Sequence, residues 1–292
     1  MRVAVIGANG QLGCDVSKVF AENGHDVIHL NHDVMDVADL DGSMANLTKA
    51  GPDVIVNTAA MHNVEACEGE PLKAFQVNGL GARNVALISN QIGATLFHIS
   101  TDYVFDGAKQ APYVESDAPL PLNVYANTKL AGEYFVRSIA RKHFVVRVSG
   151  LYGTNPCRAK SGSNFVSLML RLSKERDEVR VVDSEVLTPT FTEDIARQIV
   201  VMCNTDRYGL YHVTAQGECS WHRFASNIFE LSGARARLAV AGPGEFPAKV
   251  PRPKYSVLEN AALKSLNLDV MPYWEDGLRR YMAKIGALKP RP

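Results

Sequence analysis

RVAVIGANGQLG, running from Arg2 to Gly13, is the stretch on which the fold turns. Val3, Ala4, Val5 and Ile6 form an apolar run too short for a buried helix and rich in β-branched side chains. That is the pattern of a central strand covered on both faces. Gly7, Gly10 and Gly13 follow at three-residue intervals, and Leu12, Val16, Val19 and Phe20 begin an amphipathic helical pattern. Strand, glycine turn and helix in succession form the setting of a dinucleotide site. A pyrophosphate must approach the backbone closely, where a Cβ would stand in its way. Free N–H groups and the positive end of the helix dipole then hold the anion. An ordinary glycine turn is the competing reading. The place of the motif, directly behind an N-terminal strand, favours the cofactor.

Further short strands follow. Asp26 to Leu30 (DVIHL) is the second, and the residue closing it meets the adenosine ribose in such a fold. Leu30, Asn31 and His32 stand there, with neither an acid to favour NAD nor an arginine to favour NADP. The choice between NADH and NADPH is therefore open. Asp36 and Val37 lie in the loop that would reach the adenine. A helix is expected over Leu40 to Ala50, closed by Gly51 and Pro52. Asp53 to Val56 is the third strand. It runs into Asn57, Thr58, Ala59 and Ala60, small residues that let a ribose and nicotinamide lie against the backbone or simply permit tight packing. Pro71 to Ile92 carries one long helical pattern, and Asn78 within it either bridges backbone groups or takes part in chemistry.

Thr95 to Ile99 is the fourth strand and ends in Ser100, Thr101, Asp102 and Tyr103. Hydroxyls at the C-terminal end of a central strand sit where open α/β sheets place their ligands. A helix opens at Asn123 and carries Tyr125 and Lys129, four residues apart and so on one face. A phenol with an ordinary pKa of about 10 is a poor acid at neutral pH, and a neighbouring ammonium favours its phenolate. With Thr101 donating to the same oxygen, Tyr125 and Lys129 make a group able to protonate a carbonyl as hydride reaches its carbon. His143 to Val148 reads as the fifth strand and Leu210 to Val213 as the last. A helix from Thr192 to Cys203 has Thr192 as its expected N-cap, and Ser220 is the expected cap of a helix over Trp221 to Leu231. A proline-rich loop, Gly242 to Pro253, contains Lys249 and Arg252.

The chain has 292 residues, room for a dinucleotide domain and a smaller one. With 31 basic and 31 acidic residues it has no basic field for nucleic acid or an anionic membrane. The five cysteines, Cys14, Cys67, Cys157, Cys203 and Cys219, lack metal-ligand spacing and read as reduced thiols. Met1 leads straight into the first strand, leaving no room for a signal peptide, and no apolar run is long enough to span a membrane. A cytoplasmic protein is expected.

GANGQLG (Gly7 to Gly13), PDVIVNTAA (Pro52 to Ala60), STDYVFDG (Ser100 to Gly107), PLNVYANTKLAGE (Pro121 to Glu133), Asn164-Phe165, GLYHVT (Gly209 to Thr214) and RPKYSVL (Arg252 to Leu258) together carry a resemblance. The chain resembles the extended short-chain dehydrogenase/reductase superfamily and, within it, the dTDP-4-dehydrorhamnose reductase family. The resemblance covers nearly the whole length. It implies a Rossmann-like doubly wound parallel sheet with a smaller C-terminal α/β substrate-binding domain. The division would fall at 1–150 with about 192–215 for the cofactor, and 151–191 with 216–292 for the nucleotide sugar.

The implied activity is reduction of the C4 ketone of dTDP-4-dehydro-L-rhamnose by NADPH or NADH. A related nucleotide-sugar epimerase or dehydratase and a non-catalytic regulatory subunit are the alternatives. By resemblance Tyr125 is the proton donor, Lys129 lowers its pKa and holds the nicotinamide ribose, and Thr101 polarises the ketone. Gly10, Gln11 and Leu12 lie on the pyrophosphate, while Ala59, Ala60, Met61, His62 and Ile99 line the ribose and nicotinamide. Asp102, Tyr103, Asn164 and Arg252 meet the substrate. An arginine fork can grip a diphosphate, and Arg252 is equally readable as an ordinary loop arginine. Well-known family members carry a tryptophan where Gly150 stands. Some members dimerise through acidic residues that bind magnesium. The matching positions are Asp15 and Glu193, which also read as acids in the first turns of helices, so Mg2+ at a homodimer interface is a possibility only.

Overall fold

The computed structural model describes residues 1–156 and 162–289. Strand β1 (Arg2–Ile6) leads through the glycine turn into α1 (Gln11–Glu22), then β2 (Asp26–Leu30), α2 (Leu40–Ala50) and β3 (Val54–Asn57). There follow α3 (Val64–Gly69), α4 (Pro71–Phe75), α5 (Gly81–Ile92), β4 (Thr95–Thr101), α6 (Val124–Ile139) and β5 (His143–Val148). Six parallel strands make the central sheet in the order Gly209–His212, β5, β4, β3, β1, β2. The chain winds outward from β1 to β2 and then crosses to β3 on the other side. The C-terminal ends of β1 and β3 therefore diverge and open a crevice, where folds of this kind bind ligands.

Successive β1 residues show why the strand is apolar throughout. Val3 and Val5 pack under α1 and the helix Thr192–Cys203, whereas Ala4 and Ile6 pack on the opposite face with residues of α5. Strand side chains alternate in direction, so a sheet covered on both faces needs every position apolar. Full burial of such a side chain is worth about 1.5–3 kcal/mol.

Helix α2 starts at Asp39, whose carboxylate accepts from the Gly42 N–H, and stops at Gly51 in the left-handed region at φ +54. Its ends fall where Gly51 and Pro52 placed them. The long pattern from Pro71 to Ile92 is helical throughout, but Gln76–Leu80 forms a π-helical turn between α4 and α5. Helix α3, capped by Asn63, was not anticipated from the sequence. The N-cap of Thr192–Cys203 is Phe191, not Thr192. The Thr192 hydroxyl is instead taken by the Asp15 carboxylate at 2.5 Å, tying that helix to α1.

Beyond the sheet, the helices Phe165–Glu175, Trp221–Ser232 and Trp274–Lys284 enclose a separate apolar core around Tyr152, Phe224, Trp274 and Met282. Ser220 caps the second of these as expected. Leu263 and Met271, near the C-terminus, pack instead into the core beneath the main sheet. Cys14, Cys67, Cys203 and Cys219 are free thiols, and Cys157 lies outside the described residues. Among the described residues no helix is long and apolar enough to cross a membrane.

Candidate active site

The glycine turn forms a cradle with no room for side chains. Gly7 adopts φ +76, and a Cβ there would lie 2.8 Å from Thr58 Oγ1 and 3.2 Å from the Ala59 nitrogen. A Cβ on Gly13 would lie 2.2 Å from the Gly7 carbonyl oxygen. Gly10 caps α1 with no side-chain hydrogen bond, which leaves the first amides of the helix for an anion. Such a cradle fits a dinucleotide pyrophosphate. Leu12 is buried beneath it, and Gln11 reaches away, its amide donating to the carbonyl of Asn155 at 3.1 Å. At the end of β2 the Asn31 Oδ1 is buried without a partner, where an adenosine ribose would stand. Asp36 accepts from the Ala38 N–H, and Val37 is buried against Gly81.

The segment after β3 is held from below. Ala59 N–H donates to Asn57 Oδ1 at 3.1 Å. Asn78, in the π-helical turn, clamps Met61 from both sides: its Oδ1 accepts from the Met61 N–H at 2.8 Å and its Nδ2 donates to the Met61 carbonyl at 2.9 Å. The same amide donates to Thr128 Oγ1 on α6 at 3.0 Å. Of the two readings of Asn78, the structure shows the bridge. Gly132 allows this closeness, since a Cβ there would lie 2.5 Å from the Asn78 carbonyl oxygen.

Asn123 caps α6 by accepting from the Ala126 N–H, and the helix carries Tyr125 and Lys129 toward the end of β4. Thr101 lies close enough to Tyr125 to draw its pKa down, and the edge of the Tyr103 ring meets Tyr125 at 6.1 Å between centroids. Lys129 is buried and its Nζ donates to the Ile99 carbonyl at 2.6 Å. Burial lowers the Lys129 pKa to about 8, against the pull of Glu133. Burial also drives the Tyr125 phenol above its ordinary value, with the Thr101 hydrogen bond pulling it back. The expected downward pull of Lys129 on Tyr125 is not found: desolvation sets the direction of the shift, and Lys129 is not among its causes. Asp102 lies beneath Thr101, accepting from Thr101 at 3.1 Å and from Ser149 at 2.8 Å. Its pKa is raised to about 6 by burial, with these hydrogen bonds opposing.

Sequence reasoning missed the layer below. Glu133, one turn beyond Lys129, accepts both Arg147 Nη2 at 2.7 Å and Arg147 Nε at 2.9 Å, and also the Ser100 hydroxyl at 2.5 Å. The only hint was the spacing of Lys129 and Glu133, four residues apart within PLNVYANTKLAGE.

Other expected contacts are placed differently. Asn164 caps the helix Phe165–Glu175, and its Nδ2 donates to the Gly153 carbonyl and Tyr281 hydroxyl. Arg252 pairs with Glu65 on α3 at 2.5 Å. Gly150 adopts φ +57, and a Cβ would lie 2.8 Å from the Thr188 carbonyl oxygen, so a tryptophan does not fit this backbone. Asp15 and Glu193 do not fit magnesium. Asp15 accepts the Thr192 hydroxyl, while Glu193 is already paired with Arg197 and Lys284. Among the described residues no group of three or more His, Cys, Asp or Glu is arranged to hold a metal ion.

The family model described as the RmlD substrate binding domain matches residues 1–286. The dTDP-4-dehydrorhamnose reductase of Sinorhizobium fredii is 35% identical over 291 residues, 96% of each chain. The chain belongs to the dTDP-4-dehydrorhamnose reductase family. A second relative, the spore coat polysaccharide biosynthesis protein SpsK of Bacillus subtilis, is 37% identical over 281 residues and again covers 96% of each chain. A crystal structure of dTDP-4-dehydrorhamnose reductase from Bacillus anthracis in complex with NADP is 37% identical. It covers 97% of this chain and 99% of its own, with a TM-score of 0.91. This family membership makes the chain an NAD(P)-dependent oxidoreductase of the extended short-chain dehydrogenase/reductase fold.

Proposed function

We propose that this protein reduces the C4 ketone of dTDP-4-dehydro-L-rhamnose to give dTDP-L-rhamnose, in the cytoplasm. The observation that carries the reading is that Thr101, at the C-terminal end of β4, stands beside Tyr125, with Lys129 one helical turn along the helix that carries Tyr125. NAD(P)H, held in the Gly7–Gly13 cradle, supplies the hydride for C4. Tyr125 delivers a proton to the ketone oxygen. Its elevated pKa keeps the phenol protonated until that oxygen begins to gain charge. The Thr101 hydroxyl, whose one proton goes to Asp102 in this structure, turns that proton to the ketone oxygen when the substrate is bound and so orients it. The Lys129 ammonium is anchored by the Ile99 carbonyl, and it stabilises the negative charge left on Tyr125 and holds the nicotinamide ribose.

A division into a cofactor lobe and a nucleotide-sugar lobe is supported by the separate core around Phe224 and Trp274. The reductase reading is favoured over an epimerase because the Sinorhizobium fredii and Bacillus anthracis proteins, which match nearly end to end, are named reductases, and over a regulatory subunit because Thr101, Tyr125 and Lys129 stand together.

Purified protein given dTDP-4-dehydro-L-rhamnose is expected to consume NAD(P)H stoichiometrically, whereas an epimerase would turn over with no net consumption. Tyr125→Phe is expected to lower the rate about 10²–10⁴-fold. An unchanged rate in that variant would rule out Tyr125 as the proton donor.

A further inference from the structure

An ion pair ties α3 to the loop that follows Pro251. Arg252 Nη2 lies 2.5 Å from Glu65 Oε1. Glu65 is in the first turn of α3, a helix that also brings Cys67 within electrostatic reach of Tyr125. Arg252 follows Pro251, whose carbonyl accepts from Asn123 Nδ2 at 2.9 Å at the start of α6. Glu68, also on α3, accepts from the Val124 N–H at 3.0 Å, so α3 and the Arg252 loop are both tied to the N-terminus of the helix that carries Tyr125. The charge of Arg252 reaches Tyr103, whose ring abuts Tyr125. The guanidinium therefore acts electrostatically on a ring that abuts Tyr125. Its Nε is buried with no hydrogen-bond partner. Lys249, on the same loop, lies within electrostatic reach of Glu65.

A guanidinium with one donor held by a carboxylate and another unused is built for an anion with more oxygens than Glu65 offers. We infer that Glu65 is an internal stand-in for the substrate diphosphate, occupying Arg252 until a nucleoside diphosphate displaces it. This rests on the reductase reading above, in that the anion is taken to be the diphosphate of a nucleotide sugar. The Glu65–Arg252 pair then sets substrate affinity by competition. An exposed pair of this kind contributes a free energy that converts to about a two- to fivefold change in binding.

The test uses dTDP, a nucleoside diphosphate with no ketone, titrated by calorimetry into the full-length wild type, Glu65→Gln, Arg252→Met and the double variant. Glu65→Gln is expected to tighten dTDP binding about two- to fivefold. Arg252→Met is expected to weaken it, and the double variant to match Arg252→Met. Equal affinity of wild type and Glu65→Gln would overturn the inference, as would an Arg252→Met variant that binds dTDP normally. Glu65→Ala, lacking the side chain altogether, must tighten binding as Glu65→Gln does. The expected dTDP pattern with no NAD(P)H consumption on dTDP-4-dehydro-L-rhamnose would instead sink the reductase reading and leave the competition standing.

Discussion

Tyr125 keeps its proton because its environment is dry, and Lys129 holds its own only loosely for the same reason. Desolvation penalises the charged form of either group, so it raises the phenol and lowers the ammonium. With Lys129 at about 8, its positive charge is present at neutral pH and fades as the pH passes that value. The value of kcat/KM is therefore expected to fall along a basic limb centred near pH 8. Lys129→Arg, which keeps its charge, should move the limb upward, and a profile flat from about pH 7 to 9.5 would show that the charge is not needed. The sign for stability is the reverse. Between pH 8 and the ordinary lysine value of 10.5 the unfolded chain holds a proton that the folded one has shed. Stability from this residue thus rises with pH across that window. Spacing placed Tyr125 and Lys129 on one face, but their burial could not be read from spacing. Desolvation arises from residues distant in the chain, and it, not the ammonium, sets the direction in which the phenol moves.

The glycine turn and helix α1 act as one unit. Gly7 accepts the Gly10 N–H through its carbonyl at 2.9 Å, and α1 packs so close that Gly13 has no room for a methyl group. Gly13→Ala puts a Cβ against backbone, which no rotamer change relieves. A loss of about 1–3 kcal/mol is expected by thermal unfolding, together with weaker NADPH binding by fluorescence titration. Unaltered affinity and melting would show that the turn yields more readily than this packing allows. Several element ends were legible because their signals are local: Gly51 closes α2, and Asn123 opens α6. Thr192 misled for a physical reason. Its hydroxyl has a stronger claimant in Asp15, 177 residues away, than in the amides of its own helix. The π-helical turn at Gln76–Leu80 was equally hidden, because its apolar pattern is that of an ordinary helix and its widening serves to lodge Asn78 beneath Met61.

Sheet, helix α6 and the last strand are joined by charge buried at their centre. The side chains of Arg147 and Glu133 are 2% and 0% exposed, and the guanidinium also lies over the Phe105 ring at 5.1 Å. Glu133→Gln leaves the guanidinium without its counter-charge, at a cost of about 3–5 kcal/mol, or roughly 10 °C in Tm. Calorimetry on the variant checks this, and a Tm within about 2 °C of wild type would show that the pair contributes little. The strand–turn–helix of RVAVIGANGQLG, the alternation of apolar strands with amphipathic helices, and the Tyr125–Lys129 spacing are properties of neighbouring residues. They settled the fold class and brought forward Tyr125 and Lys129 as candidates from the chain alone. The Asn78 clamp, the Glu133–Arg147 pair, the Thr192–Asp15 bond, the Lys284 ammonium on Glu193 and the Glu65–Arg252 pair each join residues that the sequence keeps apart or leaves unpaired. Their partners were chosen by how the packed elements meet, since a polar group removed from water must bond whatever the fold brings within reach.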